Sequence, residues 1–149
     1  MKVIWNFVRE SFINPYPILD ETRLVLRKLL LRELKNKDIL VDIGSSTRYL
    51  EKYVIRADAK YVGIDYPNWS FNYERSLTKI DNITPDLWSD IRKIGLRKEI
   101  ADIVTCIDVL EHIDDPMLAI ENMAASCKVN GLIVTLIPFF MEIHGGKAG

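Results

Sequence analysis

The sequence predicts an α/β fold built on a doubly wound parallel sheet. Three observations carry that expectation. From residue 39 onward, short apolar runs rich in β-branched residues alternate with helical segments, which implies crossover connections between parallel strands. Several of those runs stop at a glycine or an aspartate, at the strand ends where ligands bind in open sheets of this kind. The chain has 149 residues, one domain's length, with 48% apolar and 28% charged residues, the balance of a globular domain.

The elements follow in order. Ile4, Phe7, Val8 and Phe12 keep a helical rhythm that Asn14-Pro15-Tyr16-Pro17 ends. A second helix is expected to start between Pro17 and Asp20 and to run to about Asn36, with Leu26, Leu30 and Leu34 stacked on one face and Leu24 and Leu31 widening it. Residues 1–38 are thus expected to form a helical segment packing on the domain of residues 39–149. The first strand runs from Ile39 to Gly44 and the second from Tyr61 to Asp65. A weaker third covers Leu77 to Ile83, a fourth Ala101 to Asp108, and a fifth Leu132 to Ile137, ended by Pro138. Segments 46–57, 85–95 and 116–128 read as helices, and Pro85 and Pro116 suit the first turns of two of them. Segment 66–76 fits neither period.

Composition excludes several classes. Lys and Arg total 20 against 21 Asp and Glu, a net charge of -1, which offers no polycationic face for nucleic acid or anionic lipid. The longest apolar run, Leu132 to Met141, is too short to cross a bilayer and contains a proline. The first residues lack the long apolar stretch of a secretory signal. Cys106 and Cys127 form neither a CxxC pair nor a Cys/His cluster, so no structural metal or disulfide scaffold is expected. The expected setting is a reduced, soluble, cytoplasmic one.

The strand ends mark where chemistry belongs. Gly44 closes the first strand, where a sharp turn needs a residue without a Cβ. Ser45 and Ser46 are small and suited to cap the helix that follows. Asp65 ends the second strand at the spacing from Asp42 at which nucleoside-binding βαβ units place a ribose-holding carboxylate, and a bland reading leaves it an exposed strand-end acid.

Four segments in order, VDIGSS, YVGIDYP, ADIVTCIDVLEHIDDP and CKVNGLIVTLIPF, resemble the S-adenosylmethionine-dependent methyltransferases with a Rossmann-like fold (class I), particularly the type-11-like group with a V-L-E-H-[IV]-x-D-P stretch after the fourth strand. The resemblance covers residues 39–145 and implies the strand order 3-2-1-4-5. It also implies roles. Asp42 and Gly44, with Ser45 and Ser46, match the loop under the methionine part of the cofactor. Asp65, with Tyr66 beside it, matches the ribose carboxylate, and Asp81 the acid that approaches adenine. Ile107 and Asp108 match the strand end that lines the cofactor and faces the acceptor. Asp108, Glu111, His112 and His144 are the candidates for a base where the acceptor must lose a proton, although His112 also reads as a helix-entry residue. No metal is implied.

The sequence departs from the family pattern. Ser46 and Arg48 replace the second and third loop glycines of D/E-x-G-x-G-x-G, and Arg48 is expected to point away along the helix. Lys128-Val129-Asn130-Gly131 stands for the K-P-G-G turn. The sequence ends at His144-Gly-Gly-Lys-Ala-Gly149, before the family's sixth and seventh strands, so Leu132 to Ile137 becomes an edge. Such an apolar edge, with Phe139, Phe140 and Met141 beside it, is expected to pair with a second copy or to be covered by the N-terminal helices. Two other functions compete with methyl transfer to a small-molecule acceptor. One is a cofactor-binding module or subunit without activity of its own. The other is a nicotinamide-dependent oxidoreductase, whose G-x-G-x-x-G loop would find only one of its three glycines in Gly44-Ser-Ser-Thr-Arg-Tyr.

Overall fold

The structure, a computed structural model, describes residues 2–3, 15–67 and 84–137, with backbone alone for 2–3 and 15–22. Its strands are β1 (Lys2–Val3), β2 (Ile39–Ile43), β3 (Lys60–Asp65), β4 (Leu87–Trp88), β5 (Ala101–Ile107) and β6 (Cys127–Leu136). They form one six-stranded sheet in the order β1-β6-β5-β2-β3-β4, parallel at every pairing. The helices are α1 (Pro15–Glu33), α2 (Glu51–Arg56) and α3 (Pro116–Ser126). Apart from β1, this is the expected 3-2-1-4-5 arrangement.

Side chains alternate across the strands and feed two cores. On one face Leu40, Tyr61, Ile103, Leu132 and Val134 pack with Leu26 and Leu30 of α1, with Leu34 just beyond its end, and with Tyr53 and Val54 of α2. On the other, Val41, Ile43, Ile64, Val104 and Cys106 pack with Ala119 and Met123 of α3. The α1 stripe is narrower than expected. Leu24 and Leu31 are 45% and 47% exposed, because a helix lying on a sheet buries mainly its i, i+4, i+8 line and, among the described residues, nothing covers its flanks.

The third strand is in a different place. Residues 68–83, which include the expected strand Leu77 to Ile83, lie outside the described residues. The sheet position belongs to Leu87–Trp88, inside the stretch expected to be the 85–95 helix. Asp86 explains the change. Its amide donates to Gly63 O at 2.8 Å and its carboxylate accepts the Gly63 amide at 2.7 Å, which holds the chain extended against β3. Cross-strand bonding outweighs a weak helical pattern here. Only Ile91–Lys93 coils, as one 3-10 turn capped by Asp90, which accepts the Arg92 amide at 2.9 Å.

At the opposite edge, Lys2 and Val3 pair with Leu132 and Ile133. Over these two positions the fifth-strand edge is covered by a strand, not by helices, and self-association there would have to displace β1. The helical rhythm of Ile4 to Phe12 and the residues Phe139, Phe140 and Met141 lie outside the described residues. The Lys128-to-Gly131 turn is present as a bulge in β6: two steps along β5, Ala101 to Ile103, face five along β6, Cys127 to Leu132. Asn130 takes φ +66°, and a Cβ on Gly131 would lie 2.6 Å from Cys127 Sγ. The Lys128 ammonium closes the bulge on Asp102 at 2.8 Å from both carboxylate oxygens.

Candidate functional site

The carboxyl ends of β2, β3, β4 and β5 lie side by side, because parallel pairing puts all strand ends on one edge. That edge gathers Gly44 to Arg48, Asp65 and Tyr66, Ser89 and Asp90, and Ile107 and Asp108.

The loop after β2 has a repeating backbone. Gly44, Ser46 and Arg48 take φ values of +72°, +39° and +55°. These left-handed positions are the three that the family motif fills with glycine, so the sequence departs from the motif in side chain and keeps its backbone path. The Gly44 and Ser45 amides both donate to Ile64 O, at 2.8 and 3.1 Å, which folds the loop over the end of β3. The Ser46 amide donates to Asp65 Oδ2 at 2.8 Å, and the Tyr66 amide to Asp65 Oδ1 at 2.8 Å. Ser89 N–H donates to Asp65 O at 2.8 Å, which ties β4 to the same residue. Asp65 is therefore a carboxylate held by backbone donors at the centre of the site.

Gly44 is required for a reason the sequence did not show. A Cβ there would lie 2.1 Å from Val109 Cγ2, so a valine methyl from the turn after β5 fills the space. The serines do not cap α2. That helix begins only at Glu51, after a run of turns, and Leu50 precedes it without a side-chain cap. Ser45 Oγ is instead buried with no hydrogen-bond partner among the described residues.

Asp42 lies beneath the loop and is 4% exposed. It accepts from Tyr61 Oη at 2.6 Å and from Thr105 Oγ1 at 2.7 Å, which ties β2 to both of its neighbours. Burial pushes its carboxyl from 3.8 up to about 6, against the pull of those two hydroxyls. A raised folded-state value means stability that is full below pH 3.8 and lost as pH rises through about 6. Relative to Asp42→Asn, the wild type should lose about 3 kcal/mol across that window. Urea melts of both proteins from pH 3.5 to pH 7.5, roughly spanning the two values, measure the difference, and parallel profiles would overturn it.

Arg48 does not run along the helix as expected. Its guanidinium forks onto Glu51 at 2.8 and 3.0 Å, pairs with Asp86 at 3.0 Å, donates to Thr84 O at 3.1 Å and lies 4.8 Å from the Tyr61 ring centre. Two neighbouring carboxylates draw it inward, and the ring gives it a face to stack on.

On the far side, Asp108 takes φ +54° and its amide donates to Leu136 O at 3.0 Å. Burial raises its carboxyl above the usual range, and the charges of Arg23 and His112 pull the other way. Arg23 reaches from α1, with its guanidinium 5.6 Å from the Tyr49 ring centre. Glu111 and His112 sit in a 3-10 turn, with His112 Nε2 3.8 Å from Glu111 Oε1. The His112 amide donates to Val109 O at 3.0 Å and closes the 3-10 turn Leu110–His112, so His112 ends that turn and does not enter a helix.

Asp81 and His144 lie outside the described residues. In the structure the acid that follows the third strand is Asp90, which sequence reasoning passed over inside a supposed helix. Its signal was the Leu-Trp pair before Ser89. Arg23, Tyr61, Asp86 and Thr105 were also missed, since each acts through a partner distant in sequence. Among the described residues, no cluster of three or more His, Cys, Asp or Glu could hold a metal, and no helix is long and apolar enough to cross a membrane.

Comparisons with known proteins agree with this fold. The family model described as a methyltransferase domain matches residues 19–140. The chain is 25% identical over 150 aligned positions to the ubiquinone biosynthesis O-methyltransferase of Actinobacillus pleuropneumoniae serotype 7, covering 97% of this chain and 61% of that protein. It therefore spans about three-fifths of the length of that curated relative. Among solved structures it is similar to a SAM-dependent methyltransferase from Aquifex aeolicus, with TM-score 0.52, 20% identity and coverage of 78% of this chain and 68% of that one. It is also similar in fold to the [4+2]-cyclase SpnF, with TM-score 0.55, 20% identity and coverage of 73% and 43%.

Proposed function

The chain belongs to the methyltransferase-domain family, and from that membership we propose that it binds S-adenosylmethionine at the carboxyl edge of β2 to β5 and transfers the methyl group to a small-molecule acceptor. The observation that carries the reading is Asp65, fixed by the Ser46 and Tyr66 amides under a loop with three left-handed residues. The residues fit the cofactor. Each oxygen of an ionised carboxylate takes more than one donor, so anchoring by amides is compatible with holding two adjacent ribose hydroxyls. Asp90 follows β4 next along the edge, and we assign its carboxylate, which also carries the Arg92 guanidinium at 2.8 to 3.1 Å, to the adenine amino group. We assign Arg23, whose charge lowers the Asp108 carboxyl against its burial, to the carboxylate of the methionine end.

When bound, the cofactor supplies a methyl group made electrophilic by its sulfonium. The chain's part is alignment and exclusion of water. A hydroxyl acceptor, the class named for the curated O-methyltransferase relatives, must lose a proton as it attacks. Asp108 is the group we assign to take it, with Glu111 and His112 behind it. A carboxyl raised toward neutrality is a better proton acceptor than an ordinary one. Titration calorimetry with S-adenosylhomocysteine tests the binding reading, and absence of binding would overturn it.

A second reading, cofactor binding without methyl transfer, is favoured by the non-glycine residues at two left-handed loop positions. Substitution separates the two. Ser46→Gly relieves a left-handed serine, so stability should be unchanged or rise by up to about 1 kcal/mol. Cofactor affinity should hold, because Ser46 meets Asp65 through its backbone amide. Loss of affinity in a folded Ser46→Gly protein would show that the hydroxyl matters. Methyl transfer that stays absent in a cofactor-binding Ser46→Gly protein, tested against a panel of phenols and hydroxy acids, would support the second reading.

A further inference from the structure

Arg48 occupies a position where the resemblance implies glycine, yet it is the most connected side chain of the loop. Its side chain is only 15% exposed. It touches three separate pieces of the site: Glu51 at the start of α2, Tyr61 on β3, and Thr84 and Asp86 on the segment entering β4. Asp86 in turn holds the Gly63 backbone through both its amide and its carboxylate. Tyr61 carries the contact inward, since its hydroxyl donates to buried Asp42.

We propose that Arg48 is a positioning residue that latches the cofactor loop to the entrance of β4 and so sets the spacing between Asp65 and Asp90 that grips the adenosine end of the cofactor. The proposal rests on the cofactor reading above. A glycine at this position supplies the left-handed turn alone. An arginine supplies the turn at some backbone cost and adds a planar fork that a lysine cannot reproduce. β4 is short, with Leu87 and Trp88 in register with β3 and the Asp86–Gly63 and Ser89–Asp65 bonds at its two ends. A side chain that holds Asp86 therefore acts on one of its few ties to the sheet. The Arg48–Asp86 pair lies directly before β4.

The test compares wild type, Arg48→Gly and Arg48→Lys. Binding of S-adenosylhomocysteine and of adenosine is measured by calorimetry, stability by melting, and amide exchange at Ser46 and Gly63 by NMR. Arg48→Gly suits the backbone at φ +55°, so its melting temperature should stay within about 5 °C of wild type. Its affinity for both ligands should nevertheless fall by about tenfold, with equal factors because the loss is at the adenosine end. Exchange at Gly63 and Ser46 should quicken. Arg48→Lys should recover part of the affinity through the charge on Asp86, which a purely steric role would not give. An Arg48→Gly protein that binds S-adenosylhomocysteine as tightly as wild type overturns the latch. Unchanged exchange at Gly63 does the same. If wild type binds neither ligand, the cofactor reading falls, and amide exchange alone decides whether Arg48 holds the loop.

Discussion

Asp65→Ala should weaken S-adenosylhomocysteine binding by about 1.5–3 kcal/mol, roughly ten- to a hundredfold, in calorimetric titration. The first cause is loss of a charge-assisted pair of hydrogen bonds to the ribose hydroxyls. The second comes from the structure: the Ser46 amide loses its acceptor, so the loop loses an anchor even before ligand arrives. Asp65→Asn separates the two contributions. It keeps one carbonyl acceptor for a backbone amide and discards the charge, so its loss should lie between wild type and Asp65→Ala. An affinity unchanged in Asp65→Ala would remove the ribose assignment, and equal losses in both variants would remove the anchoring role.

Gly44→Ala should destabilise the fold itself by about 2–5 kcal/mol, the sum of a left-handed alanine and an overpacked contact. A Cβ at residue 44 meets Val109 Cγ2 at 2.1 Å, and φ is +72°. Gly44→Val adds two more methyls at the same place and should abolish ligand binding. Because steric overlap and backbone strain have different remedies, a double-mutant cycle distinguishes them. Val109→Ala should return the overlap part of the loss in the Gly44→Ala background and leave the backbone part. Denaturant melts of the four proteins read this directly. Wild-type stability in Gly44→Ala would mean that the turn after β5 does not press on the loop.

The positive-φ series of the loop shows why parts of the site were illegible. From residue types alone, Ser46 and Arg48 look like a degraded motif. The backbone follows the motif's path regardless, because Ile64 O and the Asp65 carboxylate fix the amides of residues 44–46 from the neighbouring strand. Asp90 was hidden for a related reason. Residues 85–95 carry a proline near the start and a weak helical rhythm, and only the two-way bonding of Asp86 with Gly63 turns the chain into a strand. Asp42 was placed correctly on the first strand, but its burial between Tyr61 and Thr105 follows from which faces of β3 and β5 meet it.

The order 3-2-1-4-5 was implied by the methyltransferase resemblance. By itself the sequence determined that the sheet is parallel, the bounds of β2, β3 and β5 to within a residue, and the placing of Gly44, Asp65 and Asp108 at strand ends. These follow from short-range signals, apolar runs closed by Gly or Asp, that need no partner to be read. Tertiary structure alone decided where the third strand lies, that β1 pairs with β6, why Gly44 can carry no side chain, and where Arg48 points. Each of those depends on a hydrogen bond, an ion pair or a steric contact between residues far apart in the chain, and local propensity carries no information about such partners.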